Sequence, residues 1–110
     1  MNVVRLPGLA EPLPLKSIIW LQGHGNYTWI YVEANKRYLA SQTLKRFEEQ
    51  LSQFVRIHKS VLLNPAYVRS IGRSSDKDTY VTLQNRTRLL VARRRIRLVK
   101  NQLPTLKQLY

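Results

Sequence analysis

Three stretches of this 110-residue chain concentrate side chains able to do chemistry. FVRIHKSVLLNPAYV, from Phe54 to Val68, places Arg56, His58 and Ser60 around Lys59 and then runs into Asn64-Pro65. GHGNYTW brackets His24 with two glycines and continues through Asn26, Tyr27 and Thr28. ARRRIRLVK carries Arg93, Arg94, Arg95, Arg97 and Lys100. An imidazole acting as a base needs a group to orient it, and a metal site needs several convergent ligands. The only other histidine is His24, and neither has an Asp or Glu close by in sequence. With no cysteine, no paired-carboxylate motif and no Gly-rich phosphate loop, the chain is not expected to be an enzyme. Nor does it imply a metal, a cofactor or a small-molecule substrate.

The binding readings are stronger. His58 falls at the junction of an apolar alternation (Val55, Ile57, Val61), where hydrogen bonding to backbone is the main reading and a phosphate contact the alternative. The Asn64 amide can tie a turn whose backbone angle Pro65 fixes. In GHGNYTW, an ordinary hairpin turn competes with a groove-facing loop whose Asn amide and Thr hydroxyl and methyl meet base edges. The arginines present planar forks that match guanine O6/N7 or a phosphate, against the plainer reading of a solvated helix face.

Charge favours a polyanion. Nineteen Lys and Arg against six Asp and Glu give a net charge of +13. Solubility alone asks for roughly 2–8 in a small domain. The excess is uneven, with seven basic and no acidic residues from Arg86 to Lys100, so one pole is expected to be strongly positive. Nucleic acid is the first partner this suggests and a membrane surface the second. The latter lacks a basic amphipathic helix with exposed bulky apolar residues. No apolar run reaches the roughly 18 residues of a spanning helix, and prolines 7, 12 and 14 break up any signal-peptide region. A cytoplasmic location is the expectation.

Strand patterns dominate the elements that must position these residues. Residues 17–22 and 28–33 pair across the GHGNY segment, 37–40 returns after Ala34-Asn35-Lys36, and 67–71 pairs with 79–83 around GRSSDKD. Residues 88–91 close a further hairpin. Thr43 caps a helix in which Leu44, Phe47, Leu51 and Phe54 recur at helical spacing, and a second runs from about Arg94 to Leu103, ahead of Pro104. The fold class is mainly β: small antiparallel sheets with one or two short α-helices. Trp20, Trp29, Tyr31, Tyr38 and Tyr80 could stack bases or fill the core, and alternation favours the core for most.

Four ordered segments carry a family resemblance: IIWLQGHGNYTWIYV, TLKRFEEQL, FVRIHKSVLLNPAYVRSI and LLVARRRIRLVK. Together, over roughly Leu15 to Leu103, the chain resembles the LytTR DNA-binding domain found as the output domain of bacterial response regulators. The resemblance implies a β fold that reads double-stranded DNA with loops in successive major grooves, bending the duplex. It implies base contacts at Thr28, Thr43 and Arg94, and phosphate or flanking contacts at Asn26, Tyr27, Lys45, Arg93, Arg95 and Arg97. Arg56, His58, Ser60 and Asn64 would be scaffold. Ala92 stands where the family often has Ser, and Leu90 where Pro is common. A hydroxyl contact is thereby lost, which implies another operator or heavier reliance on arginines. Family members often occupy paired direct repeats, so a second protomer on DNA is also expected.

The implied organisation is a short N-terminal extension over residues 1–14 and the DNA-binding domain over 15–110. An extension of that length leaves no room for a receiver domain, so a transcription regulator without one in this chain is expected. The rival binding module is an RNA-binding or ribosome-associated basic β protein, which would display stacking aromatics on a sheet face.

Overall fold

The computed structural model describes residues 3–6, 9–103 and 108–109. Thirteen helices and strands follow in chain order: β1 (Val3–Val4), β2 (Leu13–Pro14), β3 (Ile18–His24), β4 (Tyr27–Val32), β5 (Lys36–Ala40), α1 (Leu44–Gln50), β6 (Val55–His58), β7 (Val61–Leu63), β8 (Val68–Arg73), β9 (Thr79–Leu83), β10 (Arg88–Leu90), α2 (Ile96–Gln102) and β11 (Gln108–Leu109). Short 3-10 turns precede β3, β8 and α2. The strands form a β1-β2 ribbon, a five-stranded sheet in the order β5-β4-β3-β7-β6 and a four-stranded sheet in the order β10-β9-β8-β11. All pairings are antiparallel except that of β11 with β8.

β4 shows why the larger sheet forms. Its side chains alternate, with Thr28, Ile30 and Val32 buried while Tyr27, Trp29 and Tyr31 point the other way. Leu21, Ile30, Val32 and Leu62 then pack with Leu44, Phe47 and Leu51 in one core, which Val4 and Leu6 complete. Val4 and Leu6 are thus part of the packed core. A second core joins the two larger sheets and α2 through Val55, Ile57, Leu63, Ile71, Val81 and Val99.

None of the five aromatics is fully buried. Trp20 and Tyr38 pack against the two cores. Trp20 also stacks on its cross-strand partner Tyr31, with ring centroids 4.3 Å apart and 3° between planes. The Arg37 guanidinium covers Trp29 at 3.9 Å, and Arg88 covers Tyr80 at 4.0 Å. One face of each of these four rings is therefore already occupied.

Both helices are shorter than the apolar spacing suggests. Leu51 leaves the helical region (φ −107°, ψ 67°), ending α1 four residues before Phe54, which a turn folds back against the same core. The second helix opens as a 3-10 turn over Arg93–Arg95, closed by Arg95 N–H donating to Ala92 O at 2.8 Å. Its α-helical part begins only at Ile96. Among the described residues no helix is long and apolar enough to cross a membrane.

Candidate nucleic-acid interface

The β3–β4 hairpin closes more tightly than the five-residue GHGNY segment suggests. Both strands extend inward, leaving only Gly25-Asn26 as the turn. Gly25 has φ +62°, as the first position of a type II′ turn requires, so glycine is needed there for its backbone. Tyr27 sits beside the turn, half exposed, and Asn26 and His24 are exposed with it.

The base of this hairpin is bolted to two neighbours. Gly23 and Thr28 face each other across the strands. Gly23 N–H donates to Ser60 O at 2.8 Å, joining the hairpin to the β6–β7 turn. A Cβ on Gly23 would lie 3.0 Å from the Leu44 Cβ, so the hairpin backbone rests directly on the first residue of α1. Thr28 Oγ1 donates to Gln42 O at 2.7 Å, fixing the approach to that helix. Thr28 itself is 0% exposed. The base contact that the family resemblance assigns to it is thus not presented at the surface. Its hydroxyl is committed to the protein backbone, and the hairpin offers Asn26 and Tyr27 instead.

Thr43 caps α1, its Oγ1 accepting from Arg46 N–H at 3.3 Å, and remains partly exposed. Lys45 and Arg46 stand exposed in the first helical turn.

The β6–β7 turn contains the Arg-His-Lys-Ser cluster. Arg56 spends its guanidinium internally: Nη1 pairs with Glu48 at 2.6 Å, Nε donates to His58 O at 2.8 Å, and Nη2 donates to Lys59 O. Ser60 N–H donates to His58 Nδ1 at 3.2 Å, with the Ser60 hydroxyl 3.0 Å from the same nitrogen. The imidazole is thereby tied into its own turn through Nδ1. Asn64, 8% exposed, holds the next turn: Nδ2 donates to Ile18 O at 2.9 Å while Oδ1 accepts from Ala66 N–H at 3.0 Å. Among the described residues no group of three or more His, Cys, Asp or Glu is placed to hold a metal ion.

These contacts bring His24, Thr43, Lys45, Lys59 and Ser60 to the rim of one shallow depression. Lys59, exposed at the tip of its turn, is a cation the sequence reading did not single out. The arginine segment joins from the other side, because Ala92 N–H donates to Ile57 O at 2.9 Å. Arg94 and Arg97 are exposed, and Arg95 is half-buried. Arg93, its side chain 82% exposed, reaches Asp78 at 3.5 Å. Arg93, Arg94, Arg97 and Lys100 line a second depression with Asn101.

The LytTr DNA-binding domain family model matches residues 10–104. The chain belongs to the LytTR DNA-binding domain family. A solved structure, the LytTr DNA-binding domain of a protein described as a methyl-accepting/DNA response regulator from Bacillus cereus, superposes with a TM-score of 0.79. It shares 20% identity, and the match covers 94% of this chain and 97% of that one. Among curated proteins there is no significant match. Family membership makes this a DNA-binding domain, and the LytTR fold accounts for loops mounted on small sheets without a long recognition helix.

Proposed function

We propose that this LytTR domain reads a specific duplex sequence at two places and serves as a transcription regulator. The hairpin tip and the start of α1, with Asn26, Tyr27 and Thr43, enter one major groove. Arg94 enters the next and takes a guanine through its planar fork. Lys45, Lys59, Arg93, Arg95 and Arg97 hold phosphates between and beside them. Thr28 positions Gln42 and, through it, the capped helix start.

One observation carries this reading. The β6–β7 turn holds the hairpin through Gly23 N–H to Ser60 O, and the adjoining strand β6 holds the arginine segment through Ala92 N–H to Ile57 O. Two candidate readers are thus fixed to one rigid support. The rival RNA reading has less ring surface to use, since Trp20, Trp29, Tyr31 and Tyr80 each have one ring face covered from within the protein.

Selection from a random duplex library tests the proposal. The expected result is two conserved blocks centred about 10 base pairs apart, with a second such pair if two protomers bind a direct repeat. Failure to enrich any duplex, or tighter binding to RNA of equal charge, overturns it.

A further inference from the structure

We propose that the β8–β9 hairpin is a separate DNA contact, in which Arg73 and Lys77, with Arg93 and Lys100, grip a backbone phosphate beyond the base pairs read by Arg94. This rests on the duplex-binding reading above and extends its footprint to a loop that neither the motifs nor the family resemblance assigns.

Three elements meet here. Arg73 ends β8 opposite Thr79, Lys77 lies in the connecting turn, and Arg93 and Lys100 come from the segment after β10. Val91 N–H donates to Thr79 O at 2.9 Å, which swings that segment against the start of β9. Arg73, Lys77, Arg93 and Lys100 consequently line one depression together with Thr79 and Ile96. It shares Arg93, Ile96 and Lys100 with the depression holding Arg94 and Arg97, so the two form one continuous cationic track.

Arg73, Lys77 and Arg93 converge on a small concavity and repel one another, and an anion seated among them removes that repulsion. The two acids of the loop do little to neutralise it. Asp76 is not among the residues lining the depression, and its carboxylate is held at the loop by the Ser74 hydroxyl, the Asp78 N–H and the Tyr80 hydroxyl, each at 2.9 Å. Asp78 reaches Arg93 at only 3.5 Å, a solvent-exposed contact that a phosphate can replace. The loop is preformed. Ser74 N–H donates to Asp78 O at 2.8 Å, Lys77 N–H donates to Ser74 O at 2.9 Å, and Lys77 occupies a left-handed conformation with φ +69°. Little ordering is then needed when the backbone arrives.

The test compares wild type with the double variant Arg73→Gln/Lys77→Asn, Asn being chosen because it tolerates positive φ. Each binds the selected site trimmed to its conserved blocks and the same site extended by about one helical turn, 10 base pairs, on each side. The wild type is expected to bind the extended duplex more tightly. The variant is expected to match it on the trimmed duplex, lose the gain on extension, and show a log–log salt slope shallower by about two units on the long one. Arg73→Lys/Lys77→Arg should keep the gain. Equal behaviour of wild type and double variant on both duplexes overturns the clamp and leaves the reader intact. Equal loss on both lengths also overturns it, by moving these residues into the core footprint. If tripolyphosphate binds the wild type, fails to bind the variant and the flanks prove irrelevant, the site is for a free anion and the backbone assignment falls. A wild type that binds no duplex selectively removes the underlying reading itself.

Discussion

The Thr28 hydroxyl donates to the Gln42 carbonyl at 2.7 Å, which ties the β3–β4 hairpin to the residue just before the Thr43 cap. The buried side chain and the capped helix start therefore move as one. Thr28→Val preserves shape and removes the donor, leaving the Gln42 carbonyl to find another partner. The expected cost is about 1–3 kcal/mol in a thermal or denaturant melt, with affinity falling for every duplex and base preference unchanged. An unaltered melt combined with relaxed preference at one base position would return Thr28 to direct contact.

Gly23 offers a steric version of the same test. The Cβ added by Gly23→Ala would meet the Leu44 Cβ at 3.0 Å, so the start of α1 has to give way. Overpacking of this kind costs about 1–3 kcal/mol. Leu44→Ala should not rescue it, because the colliding atom survives that change. The variant is expected to fold, melt earlier and lose selective binding before it loses salt-sensitive binding. Selective binding at wild-type strength would mean that hairpin and helix read DNA independently.

Asn64→Ala probes the support behind both. Its amide satisfies the Ile18 carbonyl and the Ala66 N–H together, so truncation leaves two groups unpaired near the core. The expected loss is about 1–3 kcal/mol, seen as a lowered melting temperature. Binding to the selected site should recover once the protein is assayed well below that temperature. Lost binding with an unchanged melt would place Asn64 at the DNA surface.

The Asp76–Tyr80 bond predicts a signature in alkali. Tyr80 is raised above its usual value, first by its hydrogen bond to Asp76, then by desolvation and by the nearby carboxylates. Asp76 is lowered, first by its bond from the Asp78 N–H, then by those from Ser74 and Tyr80. A tyrosine raised in the folded state favours folding below its unfolded pKa, about 10, and that contribution is lost as pH climbs through the folded value. The carboxylate acts the other way, favouring folding above about 3.9 and losing the effect as pH falls through its lowered value. In a phenolate absorbance titration, Asp76→Asn should bring one late-titrating tyrosine back toward 10, and Tyr80→Phe should remove it. No change in either variant would separate the two groups in solution.

Much of this architecture was legible because strand and helix periods are written in apolar residues. Ile30 and Val32 announce β4, and Leu44, Phe47 and Leu51 announce α1. The same pattern also held the clue about Thr28, which shares the phase of Ile30 and Val32 and so faces inward. Its polarity and its place beside a Gly-rich turn pointed the other way. Trp29 and Tyr31 mislead in the opposite sense: large rings suggest the core, whereas their phase sets them on the outer face. Phe54 keeps helical spacing but reaches the core through a turn, which spacing alone does not distinguish. The Arg93–Asp78 contact and the basic track at Arg73 arise between residues far apart in the chain, brought together only by the pairing of β8, β9 and β10. Local sequence carries no mark of them.

Arg94 and Arg97 separate reading from holding. Both are exposed, and both belong to a segment anchored by the Ala92–Ile57 bond. If Arg94 makes a bidentate contact to a guanine, Arg94→Ala should cost about 1–3 kcal/mol of binding and relax preference at one base position. Arg97→Ala should weaken binding to all duplexes alike and flatten the salt slope by about one unit, since a phosphate contact carries position without sequence. Arg94→Lys is the sharper probe because it keeps the charge and loses the fork. It is expected to retain affinity for a scrambled duplex while losing much of the preference for the selected one. Binding of both duplexes at two salt concentrations measures each term. If Arg94→Lys leaves the selected-to-scrambled ratio unchanged, Arg94 holds a phosphate. The base-reading role then passes to Arg93, whose Asp78 partner it must first release, or to the half-buried Arg95.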